Sequence, residues 1–100
     1  MKIYAIKDKL VGFKLPFFAP RHEVAIRSMK NGLLVEQKGS PYFAFPEYYV
    51  LCCLGIYDED TGEIKPLEEI EVVSEFSDLV SDIEKMRRED LRDGSDVFEE

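Results

Sequence analysis

The chain has 100 residues, the size of one domain, and 45% of them are hydrophobic. This hydrophobic content is too high for an intrinsically disordered chain, and the longest apolar run is far shorter than the roughly 20 residues of a membrane-spanning helix. The net charge of −8 is unevenly distributed, because residues 1–50 carry eight Lys/Arg and four Asp/Glu, whereas residues 51–100 carry five and seventeen. A uniformly acidic chain would argue against a polyanionic partner, but a basic first half keeps that class of partner open.

The N-terminal third predicts a hairpin followed by a helix. Residues 2–6 form one strand candidate, and residues 11–17 place apolar side chains at every second position after a short polar link. Pro16 marks an edge position or the end of that strand, since proline cannot donate to the ladder. Residues 21–30, which follow Pro20, carry a short apolar stripe at helical spacing and predict a helix. Asn31-Gly32 predicts the C-terminal end of this helix.

The clearest strand is residues 47–57, which follows a loop with embedded aromatic residues at 37–46. Both alternating sets of this strand are mostly apolar, whereas a half-buried strand would carry polar residues on one face. We therefore expect a central strand that is covered on both faces. One short helix covers only one of them, so the second cover is expected to be the C-terminal helix or another copy of the chain.

The last 43 residues of the sequence predict a turn, an edge strand and a long helix. Residues 58–62 form the turn, and residues 63–67 pair back. Ile70, Val72 and Val73 leave open whether a further extended piece follows. Residues 74–92 carry an apolar stripe at helical spacing with Ser74 as the cap. The predicted fold class is α+β, a small antiparallel sheet in the order β-β-α-β-β with a long C-terminal helix. The predicted division is an α+β domain at 1–73, an amphipathic helix at 74–92 and an acidic frayed tail at 93–100.

Few residues could support catalysis. Cys52 and Cys53 are adjacent and point to opposite faces of a strand, which predicts two buried thiols in a reducing compartment and not a disulfide. The only histidine, His22, stands near a helix start and is expected at the surface. The acidic turn fails the spacing of a calcium loop because its glycine is one position early. We expect no enzyme activity, no catalytic residue, no metal site and no cofactor.

The basic first half combines cations with aromatic residues, as proteins that bind single-stranded nucleic acid do. Cations follow the phosphates in such proteins, and rings stack on bases. The alternative is that the cations form an ordinary solvated surface and that the aromatic residues belong to the hydrophobic core. The residues predicted to bind nucleic acid are Lys7, Lys9, Lys14, Arg21, Arg27, Lys30, Lys38, Tyr42 and Phe43.

Four segments together resemble one family. They are residues 16–20 (Pro-Phe-Phe-Ala-Pro), 23–27 (Glu-Val-Ala-Ile-Arg), 46–51 (Pro-Glu-Tyr-Tyr-Val-Leu) and 54–64 (Leu-Gly-Ile-Tyr-Asp-Glu-Asp-Thr-Gly-Glu-Ile). Their order and spacing resemble the small nonstructural protein of gokushovirus-type microviruses, which are phages with single-stranded DNA genomes. The resemblance covers about residues 2–66 and leaves the acidic C-terminal part outside it.

The resemblance implies a DNA-binding or replication-associated protein that supports the switch to single-stranded genome synthesis. It implies location in the cytoplasm of the bacterial host, outside the virion, and it carries over no catalytic residue. Arg27 is the polar residue of the helix motif and the best single candidate it offers. The expected partners are single-stranded DNA, a second copy of the chain and a viral or host replication protein, with no membrane. The alternative is a protein–protein adaptor that acts through the C-terminal helix or a sheet edge.

Overall fold

Two long antiparallel strands form the centre of the sheet. The computed structural model describes the backbone of residues 1–35 and 39–99 and the side chains of 1–35 and 39–87. Strand β1 (Lys2–Asp8) pairs along its whole length with β4 (Tyr49–Tyr57), with one irregularity beside Leu54. The unbroken apolar run of β4 puts it in an interior position of the sheet, as predicted.

The predicted N-terminal hairpin is confirmed, but its second arm is two short strands. Strands β2 (Gly12–Phe13) and β3 (Phe17–Ala19) both pair with β1, at opposite ends of the same edge. Residues 14–16 separate them, because Pro16 cannot donate to the ladder. The alternating run at 11–17 is therefore not one continuous strand, as the sequence had indicated.

The opposite edge is a strand much longer than predicted. Strand β5 (Ile64–Glu75) pairs with β4 to give the order β2-β1-β4-β5. The preceding turn is confirmed, since Asp58 Oδ1 accepts from the backbone N–H of Asp60 at 2.9 Å and Gly62 has φ +77°. Ser74 lies in β5 and does not cap the last helix, because that helix begins at Phe76.

The helices also differ from the prediction in their bounds. Helix α1 (His22–Val35) continues through Gly32, so the predicted stop there is wrong. The 37–46 segment contains a short helix, α2 (Pro41–Ala44), in which the Ser40 side chain accepts from the Tyr42 N–H. A single 3-10 turn (Pro46–Tyr48) then leads into β4. Helix α3 (Phe76–Glu99) is longer than the predicted 74–92.

The helices pack on one face of the sheet, here called the covered face. The core cluster joins Tyr4 of β1 and Leu51 of β4 to Ala25 of α1 and to Phe76 and Ile83 of α3. Helices α1 and α3 also contact each other. The predicted covering of the second face by the C-terminal helix is wrong, because α3 packs beside α1. Within the described residues, no helix side chain joins a core on the second face, here called the open face.

Candidate nucleic-acid interface

Three of the predicted cations meet at one end of the sheet. Lys7 of β1 lies opposite Phe13 of β2, and Lys9 follows directly after β1. The backbone N–H of Lys14 donates to Ile6 at 2.8 Å, which fixes Lys14 beside the same strand. The chain turns back here through Gly12, whose φ of +124° favours glycine. The hairpin thus places the backbone of Lys7, Lys9 and Lys14 at the same end of the sheet.

The three lysines differ in what holds them. Lys9 Nζ donates to the backbone oxygen of Glu47 at 2.9 Å and lies 3.2 Å from Glu75 Oε2. Lys7 Nζ lies 5.4 Å from the centre of the Phe13 ring, a cation–π distance. Among the described residues, neither Lys7 nor Lys14 makes an ion pair with a carboxylate. Their charges are therefore available to a phosphate.

Two accessible rings lie at the same end of the sheet, next to the backbone of Lys9. The backbone N–H of Lys9 donates to the oxygen of Tyr48 at 2.8 Å, which ties the 3-10 turn to the hairpin. Tyr48 and Phe45 are 39% and 56% exposed, and their ring centres are 6.2 Å apart. We call the group of Lys7, Lys9, Lys14, Phe45 and Tyr48 the hairpin end. Exposed aliphatic side chains surround it: Leu10, Val11 and Leu15.

The other predicted site residues lie elsewhere. Arg21 and Arg27 are exposed, Arg21 just before α1 and Arg27 within it. Lys30 Nζ pairs with Asp82 of α3 at 3.2 Å, which joins two helices. Lys38 lies outside the described residues.

The two predicted stacking rings, Tyr42 and Phe43, pack against the core. The Tyr42 ring centre is 4.7 Å from that of Tyr49 and 5.3 Å from that of Phe76. The Arg87 guanidinium lies 5.4 Å from the Phe43 ring centre. These rings contribute to the fold, and the rings beside the lysines are instead Phe45 and Tyr48. In the sequence, Phe45 and Tyr48 stand on either side of Pro46-Glu47. The 3-10 turn there brings both rings to the surface.

His22 differs from the surface histidine that the sequence suggested, because both of its ring nitrogens have hydrogen-bond partners. Its Nδ1 lies 2.8 Å from the hydroxyl of Tyr4, and its Nε2 lies 2.9 Å from Glu71 Oε1. Tyr4 is completely buried, and this burial, with smaller contributions from Cys53, Glu71 and Glu23, raises its pKa to about 12. No substrate can reach a fully buried hydroxyl, so this chain of hydrogen bonds ties α1 to β1 and β5.

The predicted buried thiols are confirmed. Cys52 and Cys53 are free and 1% and 2% exposed, and burial raises the pKa of each thiol. In the part of the chain that the structure describes, no three His, Cys, Asp or Glu side chains could hold a metal ion. None of the helices described there is long and apolar enough to cross a membrane.

The fold and the hairpin end define a small α+β protein with a helical layer on one sheet face and a basic, aromatic surface at one sheet end. A family model described as Phage ORF5 protein matches residues 1–79, so the chain belongs to this family of phage proteins. The matched residues include all five strands, α1, α2 and the first four residues of α3, 76–79. The comparison with curated proteins and the comparison with solved structures each returned no match.

Proposed function

We propose that this phage protein binds single-stranded DNA at the hairpin end and so supports the switch to single-stranded genome synthesis. The observation that carries the proposal is the placement of Lys7, Lys9 and Lys14 at the same end of the sheet as the accessible Phe45–Tyr48 pair. The family supports a role in a phage. The resemblance to the microvirus nonstructural protein supports single-stranded DNA as the ligand. We further propose that it acts in the host cytoplasm, outside the virion, by binding and not by catalysis.

The chemistry of the hairpin end suits a flexible strand of DNA. Ammonium groups neutralise phosphates, and exposed rings stack on bases of any identity. The aliphatic side chains around it offer apolar contacts to sugars and base edges. A rigid duplex keeps its bases stacked inside, so the rings favour single strands.

Carboxylates restrict where DNA can approach. The Glu75 carboxylate lies 3.2 Å from Lys9 Nζ, and Asp8 Oδ1 accepts from the Leu10 N–H at 2.9 Å inside the hairpin. The second half of the chain is strongly acidic and repels phosphate. DNA therefore approaches along the hairpin, from the side of Lys14, and we expect modest affinity that depends on salt.

The test is a fluorescence titration of a labelled ten-residue oligothymidine at several salt concentrations. Two lysine–phosphate contacts, from Lys7 and Lys14, predict a slope of roughly −1.4 in log affinity against log salt, from about −0.7 for each contact to a single strand. Lys14→Gln should weaken binding and bring the slope to about −0.7. The matched control is Lys65→Gln, since Lys65 is an exposed lysine at the far end of the sheet.

Two results would reject the proposal. One is the absence of binding at low salt. The other is an equal effect of the two lysine variants, which would mean that net charge and not the hairpin end attracts the DNA.

A protein–protein adaptor is the second candidate, and the length of α3 favours it. Ile83 is the last fully buried residue of this helix among those whose side chains are described, and the helix continues to Glu99. A chain truncated after Arg87 keeps the core contacts of α3. Under the adaptor hypothesis this truncation abolishes binding to a viral or host replication protein, whereas under the DNA hypothesis oligothymidine affinity stays equal or rises.

A further inference from the structure

Lys9 is the one cation of the hairpin end that pairs with a carboxylate among the described residues. Its Nζ lies 3.2 Å from Oε2 and 3.4 Å from Oε1 of Glu75, so both carboxylate oxygens face the same nitrogen. The same Nζ donates to the backbone oxygen of Glu47 at 2.9 Å. Since an ammonium group has three N–H donors, these contacts occupy most of its capacity. The charge of Lys9 is thus compensated within the chain.

The fold fixes the position of Glu75. It is the last residue of β5, where it stands opposite Val50 of β4. The next residue, Phe76, begins α3 and is 1% exposed, so the backbone of Glu75 is anchored on both sides. Lys9 is anchored as well, because its backbone N–H donates to the oxygen of Tyr48 at 2.8 Å. Two ordered segments that lie 66 residues apart in the sequence therefore present these opposite charges to each other.

This ion pair is open to exchange. The side chains of Lys9 and Glu75 are 42% and 47% exposed, so a phosphate can approach the ammonium group from the solvent. Exposed pairs contribute little to stability, because water and salt screen both charges. A carboxylate and a phosphate are both anionic oxygen acceptors for an ammonium group. A DNA phosphate can therefore take the place of Glu75, but only against the attraction that holds the pair.

The other two lysines of the hairpin end have no such competitor. Within the described residues, neither Lys7 nor Lys14 forms an ion pair with a carboxylate. DNA that arrives at the hairpin end thus meets two available cations and a third that the protein's own carboxylate already neutralises. This difference gives Lys9 a role distinct from that of Lys7 and Lys14.

We propose that Glu75 is an intramolecular competitor of DNA phosphate, which withholds Lys9 from the DNA and so limits the affinity of the hairpin end. The inference rests on the proposed function and adds a regulatory residue to its site. DNA contacts Lys7 and Lys14 while the Lys9–Glu75 pair stays closed. Loss of the charge on Glu75 opens the pair and gives the site a third cation.

The test is the oligothymidine titration across salt concentrations, repeated with Glu75→Gln. This change keeps the size of the side chain and an acceptor oxygen, and it removes the charge. A third lysine–phosphate contact should steepen the slope of log affinity against log salt from about −1.4 to about −2.1. The affinity gained over the wild type should therefore grow about fivefold for each tenfold reduction in salt.

Two other carboxylates supply matched controls. Glu47→Gln removes the same charge at the same end of the sheet, but the contact of Lys9 with this residue is to its backbone oxygen. Glu63→Gln opens another exposed lysine–glutamate pair, formed with Lys65 at 3.8 Å, at the far end of the sheet. Both variants should keep the wild-type slope of about −1.4. A general effect of net charge would instead change all three variants alike.

A double variant shows whether Glu75 acts through Lys9. Lys9→Gln alone should leave the wild-type slope unchanged, whereas in the Glu75→Gln background it should return the slope from about −2.1 to about −1.4. A residue that only stabilises the fold would not produce this dependence. Circular dichroism checks that each variant is folded.

The inference fails in either of two cases. In the first, the wild-type chain binds and Glu75→Gln has the same slope as Glu47→Gln, so that Glu75 withholds no cation; the proposed function then stands. In the second, neither the wild-type chain nor Glu75→Gln binds at low salt, and the proposed function is rejected as well.

Discussion

The hydroxyl of Tyr4 lies 2.8 Å from Nδ1 of His22, and this contact joins the most buried tyrosine of the sheet to the start of α1. Nε2 of the same ring lies 2.9 Å from Glu71 of β5. A neutral imidazole with its proton on Nε2 satisfies both neighbours, since it accepts from Tyr4 and donates to Glu71. Three elements distant in sequence are held together in this way.

Replacement of His22 by alanine should destabilise the fold by about 1–3 kcal/mol, because the Tyr4 hydroxyl is left buried without its partner. Urea unfolding measures this difference. Tyr4→Phe in the His22→Ala background should cost little more, since the orphaned hydroxyl is then absent. Additive losses in this double-mutant cycle would show that the two side chains do not interact.

The stability of the fold should fall between pH 10 and pH 12. Burial raises the pKa of Tyr4 from 10.0 to about 12, so the unfolded chain releases this proton first as the pH rises. The stabilisation from the neutral hydroxyl is therefore fully present below pH 10, and roughly 2–3 kcal/mol is lost by pH 12. Urea unfolding at several pH values measures the loss. If the Tyr4→Phe variant loses stability with the same dependence on pH, the loss comes from other titrating groups.

Gly55 is required by the close approach of β4 and β5. A Cβ at this position would lie 2.5 Å from the backbone oxygen of Lys65, so the two strands would have to move apart. Gly55→Ala should destabilise by about 1–3 kcal/mol. Gly32→Ala is the matched control, since open space surrounds Gly32 inside α1 and alanine favours helix there by about 1 kcal/mol. Equal effects on the unfolding midpoint would contradict this geometry.

The rings of the hairpin end should contribute stacking and not charge. Tyr48→Leu and Phe45→Leu should each weaken oligothymidine binding by about 1–3 kcal/mol and leave the salt slope unchanged. Tyr57→Leu is a control, because Tyr57 lies on the open face against Phe18. If Tyr57→Leu weakened binding as much as the other two, the DNA would be located on the open face.

The fold class, the hairpin, the acidic turn and the interior position of β4 could be predicted from local pattern. The apolar run of β4 indicated its interior position, yet periodicity could not show where α3 packs. That choice depends on contacts of α3 with α1, such as Lys30–Asp82, which are remote in sequence. The bounds of β5 were missed because Ile70 and Val73 lie around bulges, where the alternation of period two is lost.

Part of the candidate site was predictable for similar reasons. Lys7, Lys9 and Lys14 are close in sequence, so a hairpin was enough to bring them to the same end of the sheet. The stacking rings were assigned to Tyr42 and Phe43, but the Ser40 cap folds that segment into α2 and turns both rings toward Phe76 and the core. The burial of these two rings depends on the tertiary fold, so the composition of the segment could not predict it.

The most direct test of DNA binding at the hairpin end is a titration of the isotope-labelled chain with oligothymidine, followed by amide chemical shifts. Our account predicts that the largest shifts fall in residues 9–15 and 45–48, while the amides of the acidic turn at 58–62 stay in place. Shifts centred on α3 or on β5, or none at low salt, would contradict it.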